Sequence, residues 1–266
     1  MSHNCGSTCR RKQANPTRCD TCRRSASLGP TRHASPKEIA AAVDMYFAGM
    51  SYRKVARHMG EHHNLQTGKS AVHNWVQDYS KKASEIASEF PVKTGTEWVA
   101  DECAVKVGGR QYWLFNVMDS DTRFVLAAYL SPERTTRAAA TAMAMARERA
   151  ANAPKTIKTD GLRSYREGIG TAFRNNPVKH VVSEGIRAEL NNNLSERLQG
   201  TFRDRDKTLR SMKKRETGQN YIDGLVLHYN YFRPHMGLGD KTPAVTAGAD
   251  APFKSWTDIA TLETAE

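Results

Sequence analysis

Hydrophobic and polar positions change rhythm along this 266-residue chain, and each rhythm predicts a different element. Behind Ser35-Pro36-Lys37-Glu38, a capping box with proline at the first helical position, Ile39, Val43, Met45, Tyr46 and Phe47 give a helix a partly apolar face. Gly49 ends it. Ser51 opens a second helix, with Val55 and Met59 four residues apart before Gly60. Thr67-Gly68-Lys69-Ser70 opens a third, carrying Val72, Trp75, Val76 and Tyr79. Residues 35–82 therefore read as a helix-turn-helix unit. A connector over 83–95 follows, ending in Pro91 and Gly95.

From Glu97 the period falls to two. Glu97 to Val107 and Gln111 to Asp119 flank Gly108-Gly109, a hairpin signal, and Asp119-Ser120-Asp121 turns the chain into Arg123 to Leu130. Asp119 and Asp121 suit the turn itself, because short acidic side chains cap such bends; Asp119 also stays as an outer neighbour of any site nearby. An Ala- and Met-rich helix spans Glu133 to Ala151, a short strand runs from Pro154 to Lys158, a helix covers Leu162 to Phe173, and a strand covers Val178 to Val182. Leu190, Leu194, Leu198 and Phe202 recur every four residues in a long helix predicted over 191–215. Thr217 to Phe232 forms a last helix that Pro234 stops. This β-β-β-α-β-α-β-α order suits an α/β fold, a mixed sheet flanked by helices. Residues 248–266 read as a tail.

Charge narrows the partners. Lys and Arg number 40 against 28 acids, a net +12, which favours a polyanion because each neutralised phosphate releases counterions. No run approaches the ~18 apolar residues of a membrane span, and the N-terminus lacks the apolar stretch of a secretory signal, so the expected location is the cytoplasm, at the nucleoid, with no membrane partner. Residues 1–34 stand apart. They hold Cys5, Cys9, Cys19 and Cys22, and seven basic residues against the single acid Asp20. In a reducing compartment that spacing reads as a structural Zn²⁺ site of zinc-ribbon type, with His3 as a substitute ligand; a disordered basic tail with incidental thiols is the alternative. In the third helix Lys69, Ser70, His73 and Asn74 are the candidates for reading DNA, a small helical spacer being the other reading.

Three acids stand where chemistry could use them. Asp160 follows a strand and precedes the breaker Gly161; Asp101 lies within the first strand; Glu196 falls early in a helix and off its apolar stripe. Phosphodiester attack gains from two divalent ions about 4 Å apart, and hard ions such as Mg²⁺ or Mn²⁺ take carboxylate oxygens. Glu102 is expected on the opposite face from Asp101, since strand side chains alternate, whereas Cys103 shares its face as a packing residue. Glu189 is an alternative third acid. Gly200, one turn after Glu196, leaves room for a substrate backbone. Arg203 and Lys207 continue that side, and Arg197, Arg205, Arg210, Lys213, Lys214 and Arg215 make a basic rail for a DNA backbone.

The order Asp101, Asp160, Glu196, with Thr159-Asp160-Gly161 and Asn192-Asn193-Leu194-Ser195-Glu196-Arg197, resembles the DDE transposases of prokaryotic insertion sequences. Tyr229-Asn230-Tyr231-Phe232-Arg233-Pro234-His235, then Leu238 and Lys241-Thr242-Pro243-Ala244, is similar to the end of that family's integrase-type core. The resemblance covers about residues 97–245. It implies a ribonuclease-H-like fold over 96–247, two Mg²⁺ or Mn²⁺ ions held by Asp101, Asp160 and Glu196, and cleavage and transfer of DNA strands at transposon ends. It also implies a homo-oligomer on double-stranded DNA. A cleavage-incompetent regulator descended from such an enzyme, and a nuclease that cuts without joining, are the alternatives.

Overall fold

A computed structural model describes residues 33–182, 193–204, 208 and 212–262, with side chains described from Arg197 onward in the helix that begins at Asn193. The described residues fall into two compact units, divided between Trp75 and Val76. Cys5, Cys9, Cys19 and Cys22 lie outside the described residues.

The first unit is helical. Helix α1 (Pro36–Phe47) starts at the predicted capping box: Ser35 accepts from the Glu38 N–H, and the Glu38 carboxylate accepts from the Ser35 N–H at 2.9 Å. Ser51 caps α2 (Tyr52–His62), which runs through Gly60 instead of stopping there. Val43, Phe47, Val55, Met59, Leu65 and Val72 are buried, and Tyr46 stacks on Tyr52 with ring centroids 4.3 Å apart. Helix α3 (Lys69–Ser88) starts in this unit and continues into the second.

That continuation corrects the predicted connector. Ala83 and Ala87 keep the apolar spacing of the helix and are buried, so α3 extends six residues beyond 82. Val92 is buried too and bridges to Ala150. The irregular part of 83–95 is therefore short and anchored.

The second unit is built on five strands in the order β3-β2-β1-β4-β5. Strands β1 (Glu97–Val107), β2 (Arg110–Asp119) and β3 (Val125–Ser131) are antiparallel neighbours, as the turn signals predict. Gly108 and Gly109 both take positive φ, 58° and 81°, the conformation a two-residue hairpin turn requires. Asp119 is a turn residue: its carboxylate accepts from the Thr122 N–H and hydroxyl at 2.9 and 2.6 Å, and from the Gly95 N–H at 2.9 Å. Strands β4 (Thr156–Thr159) and β5 (Lys179–Val182) add in parallel to β1. Helices α4 (Thr136–Arg149) and α5 (Arg163–Ala172) close the main core, in which Ala138, Ala139, Ala142, Met143 and Ala146 meet Trp98, Phe115, Ile157 and Tyr165. This is the mixed sheet with flanking helices that the sequence predicts.

Two expectations fail. The predicted helix over 191–215 is interrupted: α6 (Asn193–Arg203) ends in a turn at Asp204, and α7 (Arg215–Leu227) starts from Lys214, whose backbone is extended. Between them Thr208 is again helical. Beyond α7 the chain widens into a π-helical turn, His228–Phe232, before Pro234. The predicted tail is also part of the fold. Phe253, Trp256 and Ile259 are buried around α9 (Trp256–Thr261), which follows the short α8 (Pro243–Thr246), and Trp256 packs on Phe232 at 5.2 Å. Its polar-rich composition hides three apolar anchors. Among the described residues no helix is long and apolar enough to cross a membrane.

Candidate metal centre

The site forms where β4 ends. β1 and β4 pair in parallel from Glu97↔Thr156 to Val99↔Lys158. Continued by two residues, that register sets Asp160 level with Asp101, both at the carboxyl end of the parallel pair. β4 is too short to pair the Glu102 N–H, and Asp101 Oδ1 accepts it instead, at 2.8 Å. Gly161, at φ +89°, turns the chain immediately after Asp160. Asp160 Oδ1 accepts from the Leu162 N–H at 3.1 Å and fixes the start of the loop.

Asp101 and Asp160 are thus brought together, and Glu102 joins them. One carboxylate oxygen from each of the three lies within 4.8 Å of the others. The expectation that Glu102 faces away from Asp101 is corrected. Alternation holds along β1, but the strand that would separate its two faces stops at Thr159. Side chains from both faces can bend into the space beyond it.

The surroundings are uneven in charge. Asp101 and Glu102 are buried, and Asp160 is exposed. Arg134, in the link between β3 and α4, donates from Nε to Glu102 Oε1 at 2.7 Å and also from Nη2. The same Nη2 stands 3.8 Å from Asp160 Oδ2. Its guanidinium lies over the Trp113 ring, 4.7 Å from the centroid. Burial pushes the Glu102 carboxyl above its usual range and the charge of Asp160 pushes the same way, while Arg134 opposes both. Tyr165 approaches from α5 fully buried, and burial beside Glu102 keeps its phenol protonated. Among the described residues Glu102 Oε2 and the Tyr165 hydroxyl make no hydrogen bond of good geometry, although they are close enough to influence each other.

Helix α6 is tied to this site by Gln199, which donates from Nε2 to Asp101 Oδ2 and accepts from Arg203 Nη2 at 3.1 Å. Leu198 and Phe202 are buried, as the apolar stripe predicts, and a Cβ at Gly200 would meet open space. Position 196 lies in the same helix, one turn before Gln199 and Gly200. Arg197 and Arg203 are exposed; Lys207, and Glu189 among the alternatives, fall outside the described residues. Arg215 is not available to a basic rail. It donates to the Leu130 carbonyl at 2.9 Å and lies over Tyr129. Cys103 is a buried packing residue, as expected. In the helical unit Lys69, Ser70 and Asn74 are exposed, whereas His73 is half-buried edge-on against Tyr52.

Sequence reasoning misses Glu102, Arg134 and Gln199. Gln199 carries a usable signal, since it is three residues from Glu196 and shares its helical face. Nothing local marks Arg134, whose partners are distant in the chain.

Residues 95–235, more than half of the chain, match the sequence profile of the DDE domain. The chain belongs to the DDE transposase family. Among solved structures this transposase chain is similar to the HTLV-2 integrase catalytic core domain in complex with magnesium, at 16% identity and TM-score 0.45 over 59% of this chain and 99% of that one. The BIV integrase catalytic core domain is similar at 14% identity and TM-score 0.43, over 57% and 93% of the two chains. No curated protein matches the chain. Three clustered carboxylates suit a hard divalent cation, which takes oxygen ligands and offsets the repulsion among them.

Proposed function

We propose that this DDE-family chain binds transposon ends and catalyses metal-dependent cleavage and transfer of DNA strands. The convergence of Asp101 and Asp160 at the end of β4, with the helix of Glu196 tied to Asp101 through Gln199, carries the reading. Asp101 and Asp160 hold Mg²⁺ or Mn²⁺, and Glu196 completes the set. The ions, when bound, supply Lewis-acid stabilisation of the phosphoryl oxygens and activation of the attacking hydroxyl. Water attacks first and frees a 3′-hydroxyl; that hydroxyl then attacks target DNA. Each step exchanges one phosphodiester oxygen for another, so no covalent link to the protein is needed. Arg197, Arg203 and Lys207 guide the DNA backbone.

Further assignments complete the proposal. Residues 35–82 recognise the ends in helix-turn-helix fashion, with Lys69, Ser70 and Asn74 the contacting residues and His73 supporting them. Residues 1–34 hold one structural Zn²⁺ through Cys5, Cys9, Cys19 and Cys22. The active form is a homo-oligomer on double-stranded DNA at the nucleoid.

The test compares the parent protein with Asp160→Asn on labelled duplexes made from the DNA that flanks its gene, with Mg²⁺ or Mn²⁺. The parent is expected to cut and join. The variant should lose more than the ~100-fold typical of outer contacts to a metal site, while binding the duplex as tightly as the parent. A variant that cuts at the parental rate would falsify the role of Asp160. A parent that binds the ends without metal-dependent cutting would identify a DNA-binding regulator instead.

A further inference from the structure

The carboxylate cluster already contains a cation. Arg134 meets Glu102 with two donors, Nε and Nη2, both on Oε1. Its contact with Asp160 is longer, 3.8 Å, an ion pair without a hydrogen bond. The Glu102 side chain is 1% exposed, against 38% for Arg134 and 40% for Asp160. Stacking on Trp113 holds the guanidinium plane in place, which the compact ammonium of a lysine would do less well. Glu102 is therefore the fixed end of this arrangement, and Asp160 the end that can let go.

We infer that Arg134 is a built-in counter-ion: anchored by Glu102, it neutralises Asp160 until a divalent ion displaces it, so Glu102 positions Arg134 and does not itself ligate metal. This rests on the reading of Asp160 as a metal ligand. Three observations support it beyond the acidic cluster. The guanidinium spans both carboxylates, the Glu102 oxygen facing it is occupied, and Asp101 has its two oxygens engaged by the Glu102 N–H and by Gln199. An arginine cannot deprotonate to make way for metal, so displacement must be by movement. With more than a third of its side chain exposed, Arg134 has room to swing outward into solvent.

The rival is Glu102 as a direct ligand through Oε2, the buried oxygen without a hydrogen-bond partner among the described residues. A double-mutant cycle separates the two. Mn²⁺ affinity, read from the free-ion signal in electron paramagnetic resonance, and melting temperature with and without Mn²⁺ are measured on the full chain. The variants are Arg134→Gln, Glu102→Gln, both together, Arg134→Lys and Asp160→Asn. Mn²⁺ suits oxygen sites, so the N-terminal thiols contribute little to the signal.

Arg134→Gln is expected to bind Mn²⁺ roughly 3- to 10-fold more tightly, since a competing charge is gone, and to melt lower than the parent only when metal-free. Adding Glu102→Gln to Arg134→Gln should weaken binding only by the loss of one neighbouring charge, well short of the loss in Asp160→Asn. Arg134→Lys, which keeps the charge and loses the fork, should fall between parent and Arg134→Gln. If the second substitution weakens Mn²⁺ binding as much as Asp160→Asn does, Glu102 is a ligand and the inference is overturned. Parental or weaker affinity in both Arg134→Gln and Arg134→Lys overturns it as well. A different failure, Asp160→Asn with parental affinity, strikes the metal-site reading itself.

Discussion

Two polar regions flank the sheet, and they are finished differently. At the free edge of β3 the polar atoms in contact are well paired. Asn230, 2% exposed, accepts from the Val125 N–H and donates to its carbonyl, both at 2.9 Å. Gln219 does the same for the Leu130 N–H and the Ala128 carbonyl, both at 2.8 Å. Two side-chain amides thus stand in for a sixth strand and protect an edge that would otherwise recruit other chains. Past the end of β4 the opposite holds. Three carboxylates repel one another, one buried oxygen and one buried hydroxyl lack hydrogen bonds among the described residues, and an arginine from a remote link holds part of the charge. Satisfied polar burial fixes a fold. Unsatisfied, like-charged burial stores free energy that a ligand can release, which is why it marks the site and the β3 edge does not.

The strongest way to sharpen this contrast is Gln199→Leu, expected to lower strand cleavage by about 10- to 100-fold, as loss of an outer-shell partner does. Leucine keeps the volume but strands the buried Asp101 oxygen, so the melting temperature of the metal-free protein should also fall; a variant with parental cleavage would show that the bond to Asp101 has no part in placing α6. At the β3 edge the expected loss is in stability. Asn230→Ala leaves a buried N–H and carbonyl without partners, which should lower unfolding free energy by about 2–4 kcal/mol in urea titrations. Its cleavage rate per folded molecule should stay parental. Stability within about 0.5 kcal/mol of the parent would mean water replaces the amide, and the two regions would differ less than their bonding suggests.

The smallest effect concerns a buried carboxyl in the paired region. Asp223 accepts from Gln219 at 2.8 Å, and burial pushes its carboxyl up to about 6 from 3.8. A carboxyl whose value is raised by folding leaves the folded state at full stability below 3.8, and stability is lost as pH rises through about 6. Asp223→Asn keeps the acceptor and removes the charge. It should raise stability by about 1–3 kcal/mol at pH 7.5, and by nothing measurable below pH 4. A gain independent of pH, followed by thermal melts across that range, would point to packing and not to charge.

Much of the frame was legible because its signals are local. Ser35 and Ser51 announce helices through their own hydroxyls, and Gly108-Gly109 announces a hairpin through the φ angles it permits. Asp160, between an apolar strand and a glycine with positive φ, was recognisable as a strand-end acid for the same reason. What could not be read depends on lengths and neighbours. Alternation along β1 sends Glu102 away from Asp101, and only the early end of β4 brings it back. The break after Arg203 and the anchoring of Phe253, Trp256 and Ile259 depend on what surfaces the core offers, which no periodicity encodes.

The sequence by itself determined the order of elements, the place of Asp101 within β1 and of Asp160 at the end of β4, the helix that carries Glu196, and the family to which the chain belongs. Tertiary structure alone decided that Glu102 shares their space, that Gln199 ties α6 to Asp101, and that Arg134 reaches across from the β3–α4 link. Propensity and hydrophobic period act over a few residues. Like-charge repulsion and its relief act through space, between side chains that meet only once the sheet has formed.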